Sequence, residues 1–287
     1  VPKIDLKFSE PIKALFARVP LTQRVVRAVT DAIYAFMVDT AVLKHRYFRR
    51  LNIAAADLAK LHRFASIRDP ELRRKLTPDY DFGCKRPTFS NSYYRTFTRP
   101  HVHLQADGID RIEADGIVNA DGSKTLIDTL VLATGFDLWE ANFPAIEVIG
   151  REGRNLGKWW RDTRFQAYQG VSMPYFPNYL SLAGPYAFLG LNFFNTMEYQ
   201  MRLMERLFGE LKRRGATTFE VTEEANARYL DLMTELLGDS LFTLGNCASA
   251  HSYYFNPAGE PTLLRPSSTE TAIREASEFP LSDYKIS

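Results

Sequence analysis

The segment Thr129–Asp137, which reads TLVLATGFD, points to an α/β fold. Its first five residues, 129–133, form a continuous apolar run, which is typical of a strand buried on both faces of a sheet. Gly135 then permits a tight turn and a close approach of the backbone to another group. Because ligands of open α/β sheets bind at the carboxyl ends of strands, we predict a cofactor beside Thr134, Gly135 and Phe136. An isolated Ala-Thr-Gly would mark only an ordinary exit from a strand.

The composition is that of a globular chain. Its 287 residues are 45% hydrophobic and 24% charged, which disfavours collagen-like, disordered and membrane-spanning classes. The net charge of +2 does not by itself indicate a nucleic acid or an anionic membrane as partner. No apolar run approaches the roughly 20 residues of a transmembrane helix, and no signal peptide is visible. Because Val1 stands where Met is expected, we predict a processed chain or a fragment.

The cysteines and histidines indicate neither a disulfide framework nor a metal site. The chain has two cysteines, Cys84 and Cys247, and neither lies in a CxxC pair. We predict that both are inert, since no base adjoins them in sequence, and that the protein is cytoplasmic. His101 and His103 would share one face of a strand, but no histidine shows the spacing of a metal-ligand set.

Residues 8–65 carry apolar side chains at helical spacing, with Ser9 as a cap and Pro11 in the first turn. The pattern then changes to short strands, predicted at 101–105, 110–113, 116–119 and 180–183, with a hairpin turn at 120–123. Two amphipathic helices follow. One spans 192–214 and is stopped by Gly215; the other is capped by Thr222 and runs to about residue 237.

A series of short motifs gives the strongest functional signal. In chain order they are FGCKR at 82–86, YYRTF at 93–97, RPHVHL at 99–104, ATGFD at 133–137, FPNYL at 176–180 and AGP at 183–185. Their order and spacing resemble the carboxyl-terminal portion of the class B flavoprotein monooxygenases, up to about Thr269. The resemblance is greatest to the Baeyer–Villiger type. If residues 129–133 are helical or exposed, we expect the assignment of this chain to the family to be wrong.

The resemblance implies an α/β fold with one dinucleotide-binding domain for FAD and one for NADPH. Residues 1–82 would be the helical insertion of the NADP domain, and 83–134 its end with the return strand. Residues 135–287 would be the carboxyl-terminal part of the FAD domain and a closing tail. The sheet would be incomplete, because no GxGxxG loop occurs in this sequence. We therefore expect weak FAD binding and no activity from the chain alone, with the missing half supplied by another chain as an open alternative.

Lys85 and Arg86 are the leading site residues. The resemblance assigns Lys85 to the NADP 2′-phosphate and Arg86 to the flavin, as the catalytic group that stabilises the anionic peroxyflavin. A guanidinium suits this role, because it is permanently cationic and rich in donors and keeps its proton. Without the neighbouring motifs, a Lys-Arg pair before Pro87 would indicate only a solvated surface.

Two further segments carry site residues by resemblance. Tyr253, within SYY at 252–254, would contact the nicotinamide side, although many relatives have Trp there and packing is the alternative. The loop 184–192 would face flavin and substrate, with Asn192 as a cofactor contact at the positive end of a helix. Its apolar residues would form the substrate pocket: Tyr186, Phe188 and Leu189.

These features together predict an FAD- and NADPH-dependent monooxygenase that inserts one oxygen atom of O2 into a ketone to give an ester or lactone. Oxygenation at sulfur or nitrogen remains an alternative on the same scaffold. So does a truncated, non-catalytic chain that acts only as an interaction module. The expected partners are O2 and a small apolar ketone or heteroatom substrate, without nucleic acid or a membrane span.

Overall fold

The computed structural model describes residues 1–3, 7–141, 143–189 and 193–287. The helices are α1 Glu10–Arg18, α2 Pro20–Val38, α3 His45–Ser66, α4 Pro70–Lys75, α5 Tyr93–Thr96, α6 Leu156–Asp162, α7 Phe193–Arg214, α8 Glu223–Leu237, α9 Leu241–Leu244 and α10 Thr269–Glu278. The strands are β1 Ile109–Glu113, β2 Gly116–Asn119, β3 Lys124–Leu126, β4 Phe219–Val221 and β5 Tyr284–Ile286. Within these described ranges, no helix combines the length and the apolar character that crossing a bilayer requires.

The predicted amino-terminal helical block is confirmed. Pro11 lies in the first turn of α1, and Pro20 opens α2 in the same way. Ser9 occupies the cap position of α1, but its side chain makes no capping hydrogen bond. A π-helical turn, Asp39–Leu43, follows α2 before α3 begins.

Two compact units divide the chain, and the smaller contains Val1–Ile4, Asp57–Pro78 and Pro87–Phe136. Its sheet is an antiparallel meander in the order β1-β2-β3, with Ile112 opposite Ile117. The hairpin turn predicted at 120–123 is present, and Gly122 adopts a φ of +82° there. The amino terminus joins this unit, because the ammonium group of Val1 donates to the carbonyl oxygen of Thr88 at 3.0 Å.

The larger unit contains Asp5–Ala56, Asp79–Arg86 and Asp137–Ser287, and it is built on two apolar cores. The first core contains side chains of α7, α8, α10 and the β4–β5 pair. Tyr199, Leu203 and Leu207 enter it at four-residue spacing, as expected for one face of a helix. The second core collects aromatic and sulfur side chains, including Trp139, Trp160, Phe165, Met173, Cys84 and Cys247.

The two predicted helices of this unit are confirmed as α7 and α8. Gly215 follows α7 with a φ of +64°, the left-handed conformation that ends a helix. The side-chain oxygen of Thr222 accepts a hydrogen bond from the backbone N–H of Ala225 at 3.1 Å, which caps α8. The chain is thus of mixed α/β class, and the three-part division at residues 82 and 134 stays a prediction.

The predicted central strand at 129–133 is wrong for this chain. The segment belongs to neither sheet formed by the described residues, and the side chain of Val131 is 81% exposed. A strand can be buried on both faces only when neighbouring strands and covering elements exist. Strands predicted at 101–105 and 180–183 are also absent; at 180–183 the chain turns, with Ala183 at a φ of +55°.

Gly170 marks a close backbone approach in the larger unit. Its φ is +68°, and a Cβ placed there would lie 2.4 Å from the Cβ and 2.6 Å from the Cα of Ala187. We expect Gly170→Ala to lower the free energy of unfolding by at least about 2 kcal/mol, because left-handed strain and overpacking add. Urea unfolding followed by circular dichroism measures this change.

Two other glycines serve as controls for Gly170→Ala. Gly153 has a φ of +71° but open space where a Cβ would stand, so Gly153→Ala should cost only the backbone strain, about 1–2 kcal/mol. Gly209 lies within α7 and faces open space, so Gly209→Ala should stabilise by about 0.5–1 kcal/mol. A Gly170→Ala midpoint no lower than that of Gly153→Ala would contradict the close approach.

Candidate active site

The loop 79–86 carries Lys85 and Arg86 and is held by hydrogen bonds to two other segments of the larger unit. The N–H of Asp81 donates to the carbonyl of Asn246 at 3.1 Å, and the N–H of Asn246 donates to Oδ2 of Asp81 at 2.9 Å. From α3, Nδ2 of Asn52 donates to the carbonyl of Phe82 at 2.7 Å. The loop is therefore fixed before the two basic residues begin.

A disulfide joins Cys84 to Cys247, whose Cα atoms are 5.2 Å apart. The two side chains are 0% and 5% exposed. The sequence did not indicate this disulfide, because 163 residues separate the two cysteines and only folding makes them neighbours. That both cysteines are inert stays a prediction. The bond attaches the residue before Lys85 to the segment that leads to Tyr253.

Gly83 allows the loop to pass close to α9. Its φ of +105° favours glycine, and a Cβ there would lie 2.9 Å from Cδ2 of Leu241. The backbone conformation and the close packing against Leu241 therefore require glycine at this position of the FGCKR motif, independently of any ligand.

Arg86 lies at the surface beside an aromatic ring. Its guanidinium carbon is 6.0 Å from the ring centroid of Phe188, a distance at which a cation is attracted to the ring. Phe188 is half-buried, and its N–H donates to the carbonyl of Leu263 at 3.1 Å, while its carbonyl accepts from the N–H of Arg265 at 2.9 Å. The ring is thus carried by a hydrogen-bonded segment.

Tyr253 and Tyr254 stand with their ring centroids 4.9 Å apart. Nε1 of Trp139 donates to the carbonyl of Tyr253 at 2.9 Å, which fixes this segment on the second core. Burial raises the pKa of Tyr254, and the positive charge of Arg86 acts in the opposite direction. The phenol of Tyr254 therefore stays neutral at pH 7 within the electrostatic reach of Arg86.

Lys85 is exposed, with Nζ 5.4 Å from the ring centroid of Tyr80. The larger unit thus brings Arg86 close to Phe188 and Tyr254, and it puts Lys85 on the same short loop. The roles predicted for Lys85, Arg86 and Tyr253 are not decided by this geometry and stay predictions.

The other predicted pocket residues, Tyr186 and Leu189, lie in the first core. Tyr186 is 1% exposed with a φ of +58°, and burial raises the pKa of Tyr186 to about 12. The N–H of Leu189 donates to Oγ1 of Thr196 at 3.0 Å. Both side chains therefore pack inward, and their assignment to a substrate pocket stays a prediction. Asn192 lies outside the described residues.

The predicted cofactor contacts Thr134, Gly135 and Phe136 belong to the smaller unit. All three are exposed, and Gly135 has a φ of +90° with open space where a Cβ would stand. Gly135 therefore adopts a conformation that favours glycine, while its role toward a cofactor stays a prediction.

A buried arginine that the sequence analysis missed supports the segment beneath Arg86. Arg265 is 1% exposed; Nη1 donates to Oε1 of Gln169 at 2.6 Å, Nε donates to Oγ of Ser267 at 2.8 Å, and Nη2 pairs with Glu275. A lone Arg in the sequence Leu-Arg-Pro carries no pattern that distinguishes it from a surface residue.

The aromatic neighbours of Arg265 extend this network to the segment 186–188. The guanidinium carbon is 5.0 Å from the ring centroid of Tyr199 and 5.6 Å from that of Tyr229. The hydroxyl of Tyr199 donates to the carbonyl of Ala187 at 2.9 Å, and that of Tyr229 donates to the carbonyl of Tyr186 at 3.1 Å. The backbone that carries Phe188 is therefore held from two sides.

A cleft of about 530 Å³ opens beside the disulfide. It is lined by Phe242, Gly245, Cys247, Ala248, His251, Ser252, Phe255, Asn256 and Gly259. Across the described part of the chain, no group of three His, Cys, Asp or Glu side chains could hold a metal ion.

Comparison with known proteins identifies the family. A Baeyer–Villiger monooxygenase from Pseudomonas aeruginosa is 32% identical over 288 residues, which cover 100% of this chain and 53% of the relative. One from Streptomyces coelicolor is 29% identical over 289 residues, covering 100% of this chain and 54% of the relative. The chain belongs to the Baeyer–Villiger type of the class B flavoprotein monooxygenases. No family model matches it.

A solved structure agrees with this family. Cyclohexanone monooxygenase from Rhodococcus sp. Phi1, bound to NADP+, superimposes with a TM-score of 0.71 at 28% identity, over 83% of this chain and 45% of that one. The chain spans about half the length of the curated relatives it matches. The expectation that an exposed 129–133 would exclude this monooxygenase family was therefore wrong.

The contact between Asp81 and Asn246 gives a testable prediction for the site loop. Asp81→Ala removes the acceptor of the Asn246 N–H and should lower the free energy of unfolding by roughly 1 kcal/mol. Hydrogen exchange at the amide of Asn246 should accelerate. Asp79→Ala is the matched control, since only the backbone carbonyl of Asp79 accepts from Asn246, and its effect should stay within about 0.5 kcal/mol. Equal effects of the two variants would refute the role of the Asp81 carboxylate.

Proposed function

We propose that this chain is part of an FAD- and NADPH-dependent monooxygenase that inserts one oxygen atom of O2 into a ketone, giving an ester or a lactone. The observation that carries the proposal is the exposed guanidinium of Arg86, on a loop anchored by a disulfide, beside the ring of Phe188. The names of the relatives support a ketone as substrate. The two Baeyer–Villiger relatives and cyclohexanone monooxygenase are not named for oxygenation at sulfur or nitrogen, so these names do not favour the heteroatom alternatives or a non-catalytic interaction module.

The described residues fit one part of the two cofactors. Lys85 and Arg86 are exposed cations suited to a phosphate and to an anionic ring system, and Tyr253 offers an aromatic face. No GxGxxG loop occurs in this sequence, so the pyrophosphate of FAD lacks its usual cradle of backbone N–H groups and a helix N-terminus. FAD reduced by NADPH would supply the activation of O2.

Arg86 would hold negative charge as it develops next to the ketone. A guanidinium is a planar cation rich in donors, so Arg86 would stabilise an anion without transferring a proton to it. The phenol of Tyr254 is protonated at neutral pH, burial raises its pKa further, and it therefore remains able to donate a hydrogen bond. Phe188 adds an apolar wall, which fits a small apolar ketone.

The remaining assignments follow from the same family. We propose the helical insertion at 1–82, the end of the NADP domain and the return strand at 83–134, and the FAD-domain part at 135–287. Cofactor contacts of Thr134, Gly135, Phe136 and Asn192, and pocket roles of Tyr186 and Leu189, belong to this proposal. So do a cytoplasmic location and a second polypeptide that supplies a phosphate-binding loop.

The test joins this chain to the part of the Pseudomonas relative that lies outside the match. Flavin absorbance reports that the fusion is folded, and mass spectrometry follows ¹⁸O from ¹⁸O2 into caprolactone made from cyclohexanone. One labelled oxygen per lactone is the expected result. A flavin-loaded fusion that oxidises NADPH but labels only a sulfide or an amine would replace the ketone by a heteroatom substrate.

The isolated chain should bind FAD weakly. Each charge-assisted hydrogen bond missing at the pyrophosphate costs about 1.5–3 kcal/mol, which is roughly one to two factors of ten in affinity. We expect no stoichiometric flavin absorbance after gel filtration of the chain with excess FAD, whereas the fusion should retain it. Stoichiometric retention by the isolated chain would show that its own residues suffice.

Arg86→Ala in the fusion should abolish ester formation while NADPH-driven flavin reduction persists. Loss of one preorganised charged donor costs about 2.7–4 kcal/mol of transition-state stabilisation, or about 100- to 1000-fold in rate. NADPH consumption should then yield hydrogen peroxide in place of ester. Stopped-flow absorbance and product analysis measure the two steps.

Two neighbouring substitutions control for Arg86→Ala. Lys85→Ala should mainly raise the KM for NADPH, because it removes a 2′-phosphate contact and leaves the oxygen-transfer residue intact. Arg86→Lys should rescue only partly, since an ammonium lacks the planar fork of donors. If Arg86→Ala still forms ester near the wild-type rate, Arg86 does not stabilise the anion and is only a solvated surface residue.

A further inference from the structure

A disulfide of the protein lies next to the candidate site. We propose that the Cys84–Cys247 disulfide is a reversible thiol–disulfide switch, reduced and re-formed while the chain stays folded, and that its state sets how firmly residues 84–86 are held. Thiol exchange at Cys247 is a modification site separate from the proposed oxygenation. Its reversibility stands without that function, and only its effect on oxygenation rests on it.

The two cysteines differ in access. Cys247 lines the cleft of about 530 Å³, whereas the side chain of Cys84 is fully buried. Thiol–disulfide exchange requires that a thiolate reach one sulfur in line with the bond that breaks, and access decides which sulfur is attacked. A small thiol entering the cleft therefore meets Cys247, and Cys84 is the leaving group.

Hydrogen bonds around the disulfide allow it to open without general unfolding. Asp81 and Asn246 are joined by the pair of bonds described above, and the carbonyl of Asp81 also accepts from the N–H of Cys84 at 3.1 Å. Asn52 holds Phe82 independently of the sulfurs. Reduction removes one covalent link from a segment that keeps these contacts, so the response is local.

The positions of the two cysteines connect the bond to the site. They are the chain's two cysteines, so each is committed to the other. Cys84 immediately precedes Lys85 and Arg86, and Cys247 precedes Tyr253 by six residues. In a cytoplasmic protein, as proposed above, disulfides are usually transient or redox-sensing.

The exchange balances with a monothiol of the glutathione class. Its thiolate attacks Sγ of Cys247, a mixed disulfide forms, and Sγ of Cys84 leaves as a thiolate that takes up a proton. A second thiolate attacks the mixed disulfide, releases Sγ of Cys247 as a thiolate that is protonated, and departs as oxidised glutathione. Two electrons enter the protein, two glutathione thiols become one disulfide, and the same couple reverses the change.

The experiment equilibrates the whole chain in glutathione buffers of graded ratio, without denaturant, then traps thiols with a maleimide and counts them by mass. We expect no free thiol in air, two under excess reduced glutathione, and return to none on reoxidation. Hydrogen exchange at residues 84–86 and 246–254 should be at least tenfold faster in the reduced form. Exchange in α7 and α8 should not change.

The double variant Cys84→Ser, Cys247→Ser should reproduce the exchange pattern of the reduced chain in either buffer. Free thiols in air, or a bond that resists glutathione until denaturant is added, would overturn the proposal. Faster hydrogen exchange throughout both cores on reduction would also overturn it, because the disulfide would then stabilise the whole unit. Unchanged hydrogen exchange at residues 84–86 would overturn it as well. None of these readouts uses activity, so failure of the switch is distinguishable from failure of the proposed oxygenation.

Discussion

The buried charge of Arg265 is the constraint on which the candidate site depends. A guanidinium removed from water must be given partners, and here Gln169, Ser267 and Glu275 provide them. Ser267 and Glu275 lie within ten residues of Arg265, but Gln169 is 96 residues away, so satisfying one cation joins two distant segments of the chain. The rings beside it, Tyr199 and Tyr229, use their hydroxyls to hold the backbone before Phe188. Arg86 rests on that ring, so an exposed cation is positioned by a buried one.

Local signals in the sequence were sufficient for α1–α3, α7, α8 and the first two strands of the meander. Apolar spacing predicted α1–α3, and single residues such as Thr222 and Gly215 marked helix ends, because capping and left-handed turns involve atoms only a few residues apart. The strand at 129–133 failed for the opposite reason. An apolar run becomes a buried strand only when distant parts of a chain pack on both of its faces. The described residues form no sheet that includes this segment.

The site was predictable in its motifs and not in its surroundings. The FGCKR motif indicated Lys85 and Arg86. The residues that flank the two cysteines and Arg265 contain no pattern that predicts a disulfide or a buried arginine. Cys84 finds Cys247 across 163 residues, and no spacing rule reaches so far. Tyr186 was chosen from its position in a loop, but a φ of +58° at that residue accompanies a side chain buried in the core. Side-chain direction is set by backbone conformation, which the order of residues alone did not reveal.

The exposed segment that follows β3 has a consequence for the behaviour of the chain in solution. Leu130, Val131 and Leu132 form a short, exposed and apolar stretch without charge or proline to interrupt it. Exposed apolar segments of this kind can pair with strands of other molecules, and such self-association rises steeply with protein concentration. Any surface that covers this stretch therefore also acts as protection against aggregation, and chaperones would compete for the same residues until they are covered.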